Sequence, residues 1–417
     1  MAAALEHVAF LVGGAVLADA NGSLPTLPPS GREHALGEVL ALVGADIPIA
    51  PTARLEDGRL VHIVGMRGDA PATGAFVAPG ALSDAALRTV VARAVRELQP
   101  ASTPAGRPDW FRPGWFDVLE RWLDAVLEPL GRRRTGPVEA CKLWSISAVV
   151  RVPTTDGTLW CKAPCAHFRA EARIHAAVAG VLPDLVPELV AIEATEGWVL
   201  MEPLSGADEA EQADGATLQA ARAWAAAQLE TIDRVPEFVA AGFPHRGVEA
   251  TIAAFERVLV GSGELALLSE QERLALGDAT APALALVREF WSAGIPDALA
   301  HGDLHPGNVA WDGTTLRIFD WTDGCVTHPF LDASHLGRWA DDATRASALT
   351  AYAEPWRARF PGADIDRVLA LAELADLVFQ TVTFDAIVAT LEPQSGWELG
   401  GAVARNLRQL PQIVAAL

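Results

Sequence analysis

The chain is 417 residues long, which is enough for two or three domains with sizeable cores. Its formal net charge is −21, from 32 basic and 53 acidic residues, and such a field repels nucleic-acid backbones and anionic membranes. The four cysteines are too scattered for a disulfide framework or a paired zinc site. The apolar N-terminal patch lacks a basic segment before it, and no stretch approaches a transmembrane helix. We therefore expect a cytoplasmic protein that binds neither nucleic acid nor membrane.

Residues 1–100 form the first predicted unit. Strands are predicted at 8–17 and 60–66, each bounded by glycine-containing turn signals. A helix is predicted over 83–98, because Asp84 suits its N-terminus and the apolar residues that follow recur with a helical period. No chemical motif accompanies these elements. We interpret the unit as a small α/β cap whose role the sequence does not reveal.

A linker that contains proline separates this cap from a second predicted domain at 114–203. An amphipathic helix comes first, and short strands with one further helix follow. The predicted elements are the helix 115–130, the strands 138–144, 148–152, 158–163, 189–193 and 198–201, and a helix that begins near residue 167. Residues 204–417 are rich in Ala and Leu and helical in period. The pattern predicts an α+β, bilobal chain, in which a small β-rich lobe precedes a larger helical lobe.

Polar residues are dense in the stretch 301–324, HGDLHPGNVAWDGTTLRIFDWTDG. Asp303 and Asn308 are five residues apart, and Asp320 follows a short apolar strand. Kinase-type active sites supply a catalytic base and two magnesium ligands in this order. We therefore predict that Asp303 is the base and that Asn308 and Asp320 bind Mg²⁺. Each aspartate could instead cap a turn, but capping does not explain the three residues together.

A cation for the phosphates is predicted in the β-rich segment. Lys162 lies at the end of an apolar strand, and Glu171 follows nine residues later in the next predicted helix. A strand lysine held by a helix glutamate is the ion pair that directs an ammonium group at the α- and β-phosphates. The alternative is an edge lysine that faces solvent.

Two further nucleotide contacts are assigned by position. Residues 137–156 contain no glycine, so Ser145 and Ser147 are the candidates to contact the phosphates through hydroxyls or backbone amides. The apolar strand at 198–201 leads into Glu202 and Leu204, whose backbone groups are candidates to recognise the purine. A plain core strand is equally compatible with that last segment.

The runs HGDLHPGN, IFDWTDG and HPFLD resemble the aminoglycoside phosphotransferase and choline kinase-like family. The resemblance covers roughly residues 115–417. It implies a protein-kinase-like fold, ATP and Mg²⁺ as cofactors, and the site roles given above. Asp332 matches a family position that braces the catalytic loop. The tryptophan after Asp320, where protein kinases have Phe-Gly, fits the branch of the family that acts on small molecules.

The phosphoryl acceptor is predicted to be a small alcohol, such as an amino sugar, an aminoglycoside or a related sugar. Carboxylates suit an amine-bearing sugar, and tryptophan suits a sugar face. The candidate acceptor residues are Asp323, Asp376, Gln380, Trp397 and Glu398. The alternative is that most of them are ordinary surface residues of an acidic protein.

Two other functions stay open from the sequence. The chain could be a catalytically silent relative that binds nucleotide, although the complete set of candidate residues counts against silence. It could also be a metal-dependent hydrolase that uses His301, Asp303 and His305 as ligands. That reading leaves the other candidate residues without a role.

Overall fold

The computed structural model describes residues 6–12, 14–27, 47–65, 74–207, 213 and 215–417. The chain divides into two compact units, and each is discontinuous in sequence. The first unit is Met1–His167 with Val388–Leu399, and the second is Phe168–Ile387 with Gly400–Leu417. The mixed α and β content agrees with the sequence. The predicted domain boundaries near residues 100, 114 and 203 stay predictions.

The N-terminal part of the first unit is a mixed sheet covered by one helix. The strands are β1 (Glu6–Val12), β2 (Ala15–Ala18), β3 (Thr26–Leu27), β4 (Ile47–Arg54), β5 (Leu60–Gly65) and β6 (Ala75–Val77). The sheet order is β4-β5-β1-β2-β6, with β3 paired to β1, and only the β1–β5 pair is parallel among the described pairings. Helix α1 (Ala85–Glu97) begins after Asp84, whose side chain accepts from two backbone N–H groups of the first turn. Its apolar face joins the sheet residues in one core.

One predicted strand of this sheet is wrong. The run 8–17 is a hairpin of β1 and β2 rather than a single strand. Gly14, between them, has φ +89°, a left-handed conformation that glycine adopts at little cost. The predicted strand end at Met66 lies outside the described residues.

The remainder of the first unit contains the helix α2 (Trp115–Leu127) and three antiparallel strands. These are β7 (Glu139–Leu143), β8 (Ser147–Thr154) and β9 (Gly157–Pro164), close to the predicted positions. In the β8–β9 ladder Val149 lies opposite Lys162, so the lysine sits in the middle of a paired strand and not at a free end. Its side chain is buried.

The second unit is mostly helical, as the sequence predicts. Its elements are α3 (Glu171–Ala179), β10 (Leu189–Glu193), β11 (Trp198–Met201), α4 (Ala216–Thr231), α5 (Val235–Ala240), α6 (Val248–Gly261), α7 (Glu270–Ser292), β12 (Ala298–Ala300), β13 (Val309–Trp311), β14 (Leu316–Ile318), β15 (Cys325–Thr327), α8 (Phe330–Arg338), α9 (Asp342–Arg359), α10 (Ile365–Thr390) and α11 (Ala402–Ala416). The last residues of α10 belong to the first unit. Within the described part of the chain, no helix is both long enough and apolar enough to cross a membrane.

Two small antiparallel pairs position the polar stretch 301–324. Strand β12 pairs with β15, and β13 pairs with β14. The loop between β12 and β13 contains Asp303, and Asp320 directly follows the β13–β14 hairpin. Around them lies a continuous apolar core that includes the edge-to-face pair Trp224 and Trp321. The candidate site is therefore a set of short polar loops held on a tightly packed base.

Candidate functional site

The loop that contains Asp303 is fixed by a buried carboxylate. Asp332 on α8 accepts hydrogen bonds from His301 N at 2.8 Å and from Gly302 N at 2.9 Å. Gly302 has φ +82°, and a Cβ at this position would lie 2.4 Å from Asp323 O. Only glycine fits this close approach. Asp332 thus braces the loop, in agreement with the position that the sequence pattern assigned to it.

Asp303 combines partial exposure with a lowered pKa. Its side chain is 35% exposed, and its Oδ1 lies 3.1 Å from Nε2 of His335. Burial alone would raise the pKa of Asp303, but the hydrogen bond and charge of His335, with the charge of His305, outweigh it and hold the pKa below its ordinary value. The carboxylate is therefore negatively charged at neutral pH and still reachable from solvent.

Asn308 and Asp320 are suited to a hard cation. The amide nitrogen of Asn308 donates to Asp303 O at 2.9 Å, an orientation that leaves the amide oxygen as the group that can act as a ligand. Phe319 N donates to Asn308 O at 3.0 Å, so the two candidate ligand residues stay close. Asp320 has φ +66°, and among the described residues it is the only non-glycine residue with a positive φ. One neutral and one anionic oxygen donor fit Mg²⁺, which takes few protein ligands and keeps water or phosphate oxygens.

Asp323 adds a second carboxylate beside Asp303. Burial is the main reason why the pKa of Asp323 rises to about 7, and the nearby charge of Asp303 adds to it. The guanidinium of Arg246 opposes this rise. Arg246 lies 3.5 Å above the ring of Phe379 and donates to Phe379 O at 3.2 Å. Arg246 was not predicted from the sequence, because it precedes α6, far from the motif in the chain.

The predicted acceptor residues of α10 contact the loop that contains Asp303, either directly or through His335. Gln380 is buried, and its amide donates to Gly302 O at 2.8 Å. Asp376, one turn earlier, is also buried, and both of its carboxylate oxygens lie 3.3 Å from Nδ1 of His335. These contacts give the two residues a role in holding the loop. Their predicted contact with the acceptor stays a prediction.

The other two predicted acceptor residues lie in the first unit. The indole of Trp397 donates to Thr52 O at 3.0 Å. The carboxylate of Glu398 accepts from Ser145 N at 2.6 Å. Both residues therefore contact segments that precede residue 168. Their assignment to the acceptor stays a prediction as well.

The predicted nucleotide contacts are distributed over both units. Lys162 is buried on β9 of the first unit, and Glu171 is buried at the start of α3 of the second. Ser145 and Ser147 lie at the β7–β8 turn, where the Ser147 hydroxyl accepts from the indole of Trp144 at 2.7 Å. The ion pair of Lys162 with Glu171 and the contacts of both serines with phosphate stay predictions.

The predicted purine contacts follow β11. Glu202 N donates to Glu188 O at 3.0 Å, which continues the pairing of the strand that precedes it. Leu204 is partly exposed just beyond. Both positions stay candidates for recognition of the purine.

The histidines of the motif serve the loop itself. Nε2 of His301 lies 2.9 Å from Phe319 O, and Nδ1 of His305 accepts from Gly307 N at 3.1 Å. In the part of the chain that the structure describes, no three His, Cys, Asp or Glu side chains are grouped to bind a metal ion. The hydrolase alternative therefore lacks the cluster of His301, Asp303 and His305 on which it depends.

His335 is the functional residue that the sequence reasoning missed. It lies three residues after Asp332 on α8, so the two side chains share a helix face. The spacing of three residues from Asp332 was the signal in the sequence that could have indicated His335. Nothing in the sequence indicated that Asp376, 41 residues further on, would reach the same imidazole.

Comparison with known proteins gives a family and a fold. Residues 138–371, more than half of the chain, match the model of the Phosphotransferase enzyme family. The GDP complex of a mutant aminoglycoside 2′-phosphotransferase-IIIa is 17% identical, with a TM-score of 0.51 over 72% of this chain and 97% of that one. A macrolide 2′-phosphotransferase from Brachybacterium faecium is 19% identical, with a TM-score of 0.49 over 68% and 97%. A choline/ethanolamine kinase family protein from Mesorhizobium loti is 18% identical, with a TM-score of 0.48 over 71% and 94%. No curated protein matches the chain.

Proposed function

Because this chain belongs to the Phosphotransferase enzyme family, we propose that it transfers the γ-phosphoryl group of ATP, with Mg²⁺, to a hydroxyl group of a small polar molecule. The acceptor we propose is an amino sugar, an aminoglycoside or a related sugar. The observation that carries the proposal is Asp303, a carboxylate that is ionised, one-third exposed and placed beside Asn308. The proposal includes a bilobal, protein-kinase-like arrangement preceded by an N-terminal cap.

In this reaction Asp303 orients the acceptor hydroxyl and takes its proton. The acceptor oxygen forms a bond to the γ-phosphorus, the bond from that phosphorus to the β–γ bridging oxygen breaks, and ADP leaves with the electron pair. Because Asp303 has a lowered pKa, it is a weak base. Proton transfer therefore comes late, when the acceptor oxygen has already become acidic by bonding to phosphorus.

The nucleotide requires compensation for its charge in a chain of net charge −21. Asn308 and Asp320 would hold Mg²⁺, which neutralises charge on the β- and γ-phosphates when it is bound. Lys162, held by Glu171, is proposed to contact the α- and β-phosphates. Glu202 and Leu204 are proposed to recognise the base through their backbones.

An amine-bearing acceptor suits the carboxylates beside the base. Asp323 has a pKa of about 7, so an ammonium group nearby would favour its ionised form and gain an ion pair. A neutral sugar would leave Asp323 partly protonated and would gain less. This difference supports amino sugars and aminoglycosides ahead of plain sugars.

The test is nucleotide turnover with a panel of acceptors. Purified protein is mixed with Mg²⁺, ATP and a panel of aminoglycosides, amino sugars, neutral sugars and amino alcohols, and release of ADP is followed. GTP is included because the related aminoglycoside phosphotransferase is a GDP complex. We expect acceptor-dependent release of the diphosphate and a phosphorylated acceptor by mass spectrometry.

The variant Asp303→Asn keeps the shape of the side chain and removes the base. We expect kcat to fall by about 10²- to 10⁴-fold while binding of a non-hydrolysable nucleotide is retained. Asp278→Asn, an exposed site on α7, is the matched control and should turn over like the unmodified protein. Full activity of Asp303→Asn would refute its role as base. Nucleotide binding without turnover of any acceptor would favour the catalytically silent relative.

A further inference from the structure

His335 lies between the proposed base and a second buried carboxylate. Its Nε2 is 3.1 Å from Asp303 Oδ1, and its Nδ1 is 3.3 Å from both oxygens of Asp376. The histidine side chain is 7% exposed and that of Asp376 is 3% exposed. Both ring nitrogens therefore face carboxylate oxygens in a region that water barely reaches.

Two helices build this arrangement. The imidazole comes from the last turn of α8, whose Asp332 binds the backbone of the catalytic loop. Asp376 comes from α10, whose Gln380 binds the same loop at Gly302 O. Residues four apart on a helix lie on one face, so α10 holds the loop directly through Gln380 and indirectly through His335. The geometry is thus part of a rigid support and does not depend on a single contact.

The surroundings determine the charge of the imidazole. Four charged or titratable groups face it: Asp303, Asp376, the ring of His305 at 6.3 Å, and Arg338, whose guanidinium lies 3.9 Å from Asp376. Burial alone would lower the pKa of His335, but the two carboxylates outweigh it and raise the pKa to about 10. At neutral pH His335 is an imidazolium.

A second buried histidine of the same unit shows the opposite case. His328 is fully buried against Phe290, at a ring distance of 4.0 Å, with no carboxylate bound to it among the described residues. Burial lowers the pKa of His328 to about 3, so it is neutral. The contrast shows that the carboxylates, and not burial, keep His335 charged.

We propose that His335 is a positioning residue: an imidazolium, clamped by Asp376, that binds Oδ1 of Asp303 and thereby presents Oδ2 to the acceptor hydroxyl. The remaining neighbours of Oδ2 are more distant, with Asn308 Nδ2 at 3.4 Å and His305 Nε2 at 3.8 Å. An imidazole that is already protonated cannot receive the proton of the acceptor. His335 therefore orients the base and does not act as a proton relay. This inference rests on the proposed function of Asp303 as the base.

The charge of His335 can be measured without any acceptor. The protein has 10 histidines, so nitrogen-15 labelling of histidine gives a small set of ring signals, and the signal of His335 is the one lost in His335→Gln. We expect that ring to stay doubly protonated as the pH rises past 6.5 and to titrate near 10. The ring of His328 should stay neutral throughout and serves as an internal reference. Asp376→Asn should lower the pH at which His335 titrates. A neutral His335 ring at neutral pH would overturn the proposal, whether or not the chain phosphorylates any of the acceptors tested.

The catalytic effect is measured with the acceptor that the panel identifies. His335→Gln keeps one hydrogen bond but removes the charge, and we expect kcat to fall by about 10²-fold with the KM for nucleotide nearly unchanged. His328→Gln is the matched control: it alters a buried histidine of the same unit, and any loss of stability should leave kcat of the folded protein unchanged. Equal effects of both variants on kcat, or a normal kcat in folded His335→Gln, would refute positioning. If neither the variants nor the unmodified protein phosphorylated any acceptor, the result would count against the proposed function. The ring titration would still decide the charge of His335.

Discussion

Replacement of Asp332 tests how the catalytic loop is held. This carboxylate is 1% exposed. Its Oδ2 accepts from His301 N at 2.8 Å and from the indole nitrogen of Trp224 at 2.7 Å, and its Oδ1 accepts from Gly302 N at 2.9 Å. A fourth donor, Gln228 Nε2 at 3.4 Å, also donates to Leu299 O, so Asp332→Ala leaves three donors without an acceptor. Asp332→Asn keeps one acceptor oxygen but replaces the other with an NH₂ group, which faces an N–H donor.

The magnitude follows from the number of buried donors left without an acceptor. Each costs about 1–3 kcal/mol, so the three donors of the alanine variant set a range of about 3–9 kcal/mol. Burial is also the main reason why the pKa of Asp332 is raised, which means that its charge opposes folding and that the net loss lies at the lower end, about 3–5 kcal/mol. The asparagine variant leaves one donor unsatisfied and should cost about 1–3 kcal/mol. For a domain of this size, 1 kcal/mol corresponds to a shift in Tm of about 2–4 °C.

The assay is thermal unfolding followed by tryptophan fluorescence, because Trp224 and Trp321 are buried next to the loop. The expected order of stability is unmodified protein, Asp332→Asn, Asp332→Ala, with Asp278→Asn equal to the unmodified protein. An alanine variant as stable as the asparagine variant would show that the three donors find other acceptors. In that case Asp332 does not brace the loop.

Two further substitutions test buried charges. Asp323 has a folded pKa of about 7 against an ordinary value of 3.8, so its contribution to stability is complete below pH 3.8 and is lost as the pH rises through 7. Asp323→Asn stays neutral, so its Tm should rise relative to that of the unmodified protein across this pH window. A difference in Tm that stays constant with pH would contradict the raised pKa of Asp323. In the first unit, the buried Arg107 binds Glu97 and lies 2.6 Å from Glu392, so Arg107→Met should cost about 3–5 kcal/mol in urea unfolding. Burial already raises the pKa of Glu392, so the loss of stability in Arg107→Met should be larger in alkali than in acid. Adding Glu392→Gln to Arg107→Met should restore part of the lost stability. No recovery in the double variant would show that the unpaired charge of Glu392 is not the cause of the loss.

The local contacts of the motif were predictable from the sequence, because they depend on short separations. Asp303 and Asn308 are five residues apart, and their contact at 2.9 Å follows from the tight loop that Gly302 permits. The strands β10 and β11 also coincide with prediction, because turn signals mark their ends. Family membership, predicted from the same motif, is confirmed.

Long-range contacts were not readable, because no local pattern encodes them. His335 and Asp376 appear as ordinary residues of amphipathic helices until the fold places them against Asp303. Arg246 lies 77 residues before Asp323, to which it is coupled electrostatically. Asp376 was predicted as a candidate acceptor residue, with an ordinary surface acid as the alternative, whereas it is among the most buried carboxylates of the described residues. The burial of Asp376 beside His335 cannot be predicted from the amino-acid composition of α10.

The segment Val388–Leu399 connects the N-terminal sheet to the predicted phosphate-binding turn. Its Glu392 is held by Arg107, and its Trp397 donates to Thr52 O on β4. The next residue, Glu398, accepts from Ser145 N at the β7–β8 turn. Strand β4 is therefore linked to Ser145 through two consecutive residues of a single segment. Since a hydrogen bond to a charged carboxylate is worth about 1.5–3 kcal/mol, this contact is strong enough to fix the orientation of the turn. The N-terminal sheet thus contacts, through Thr52 on β4, the segment that holds the turn.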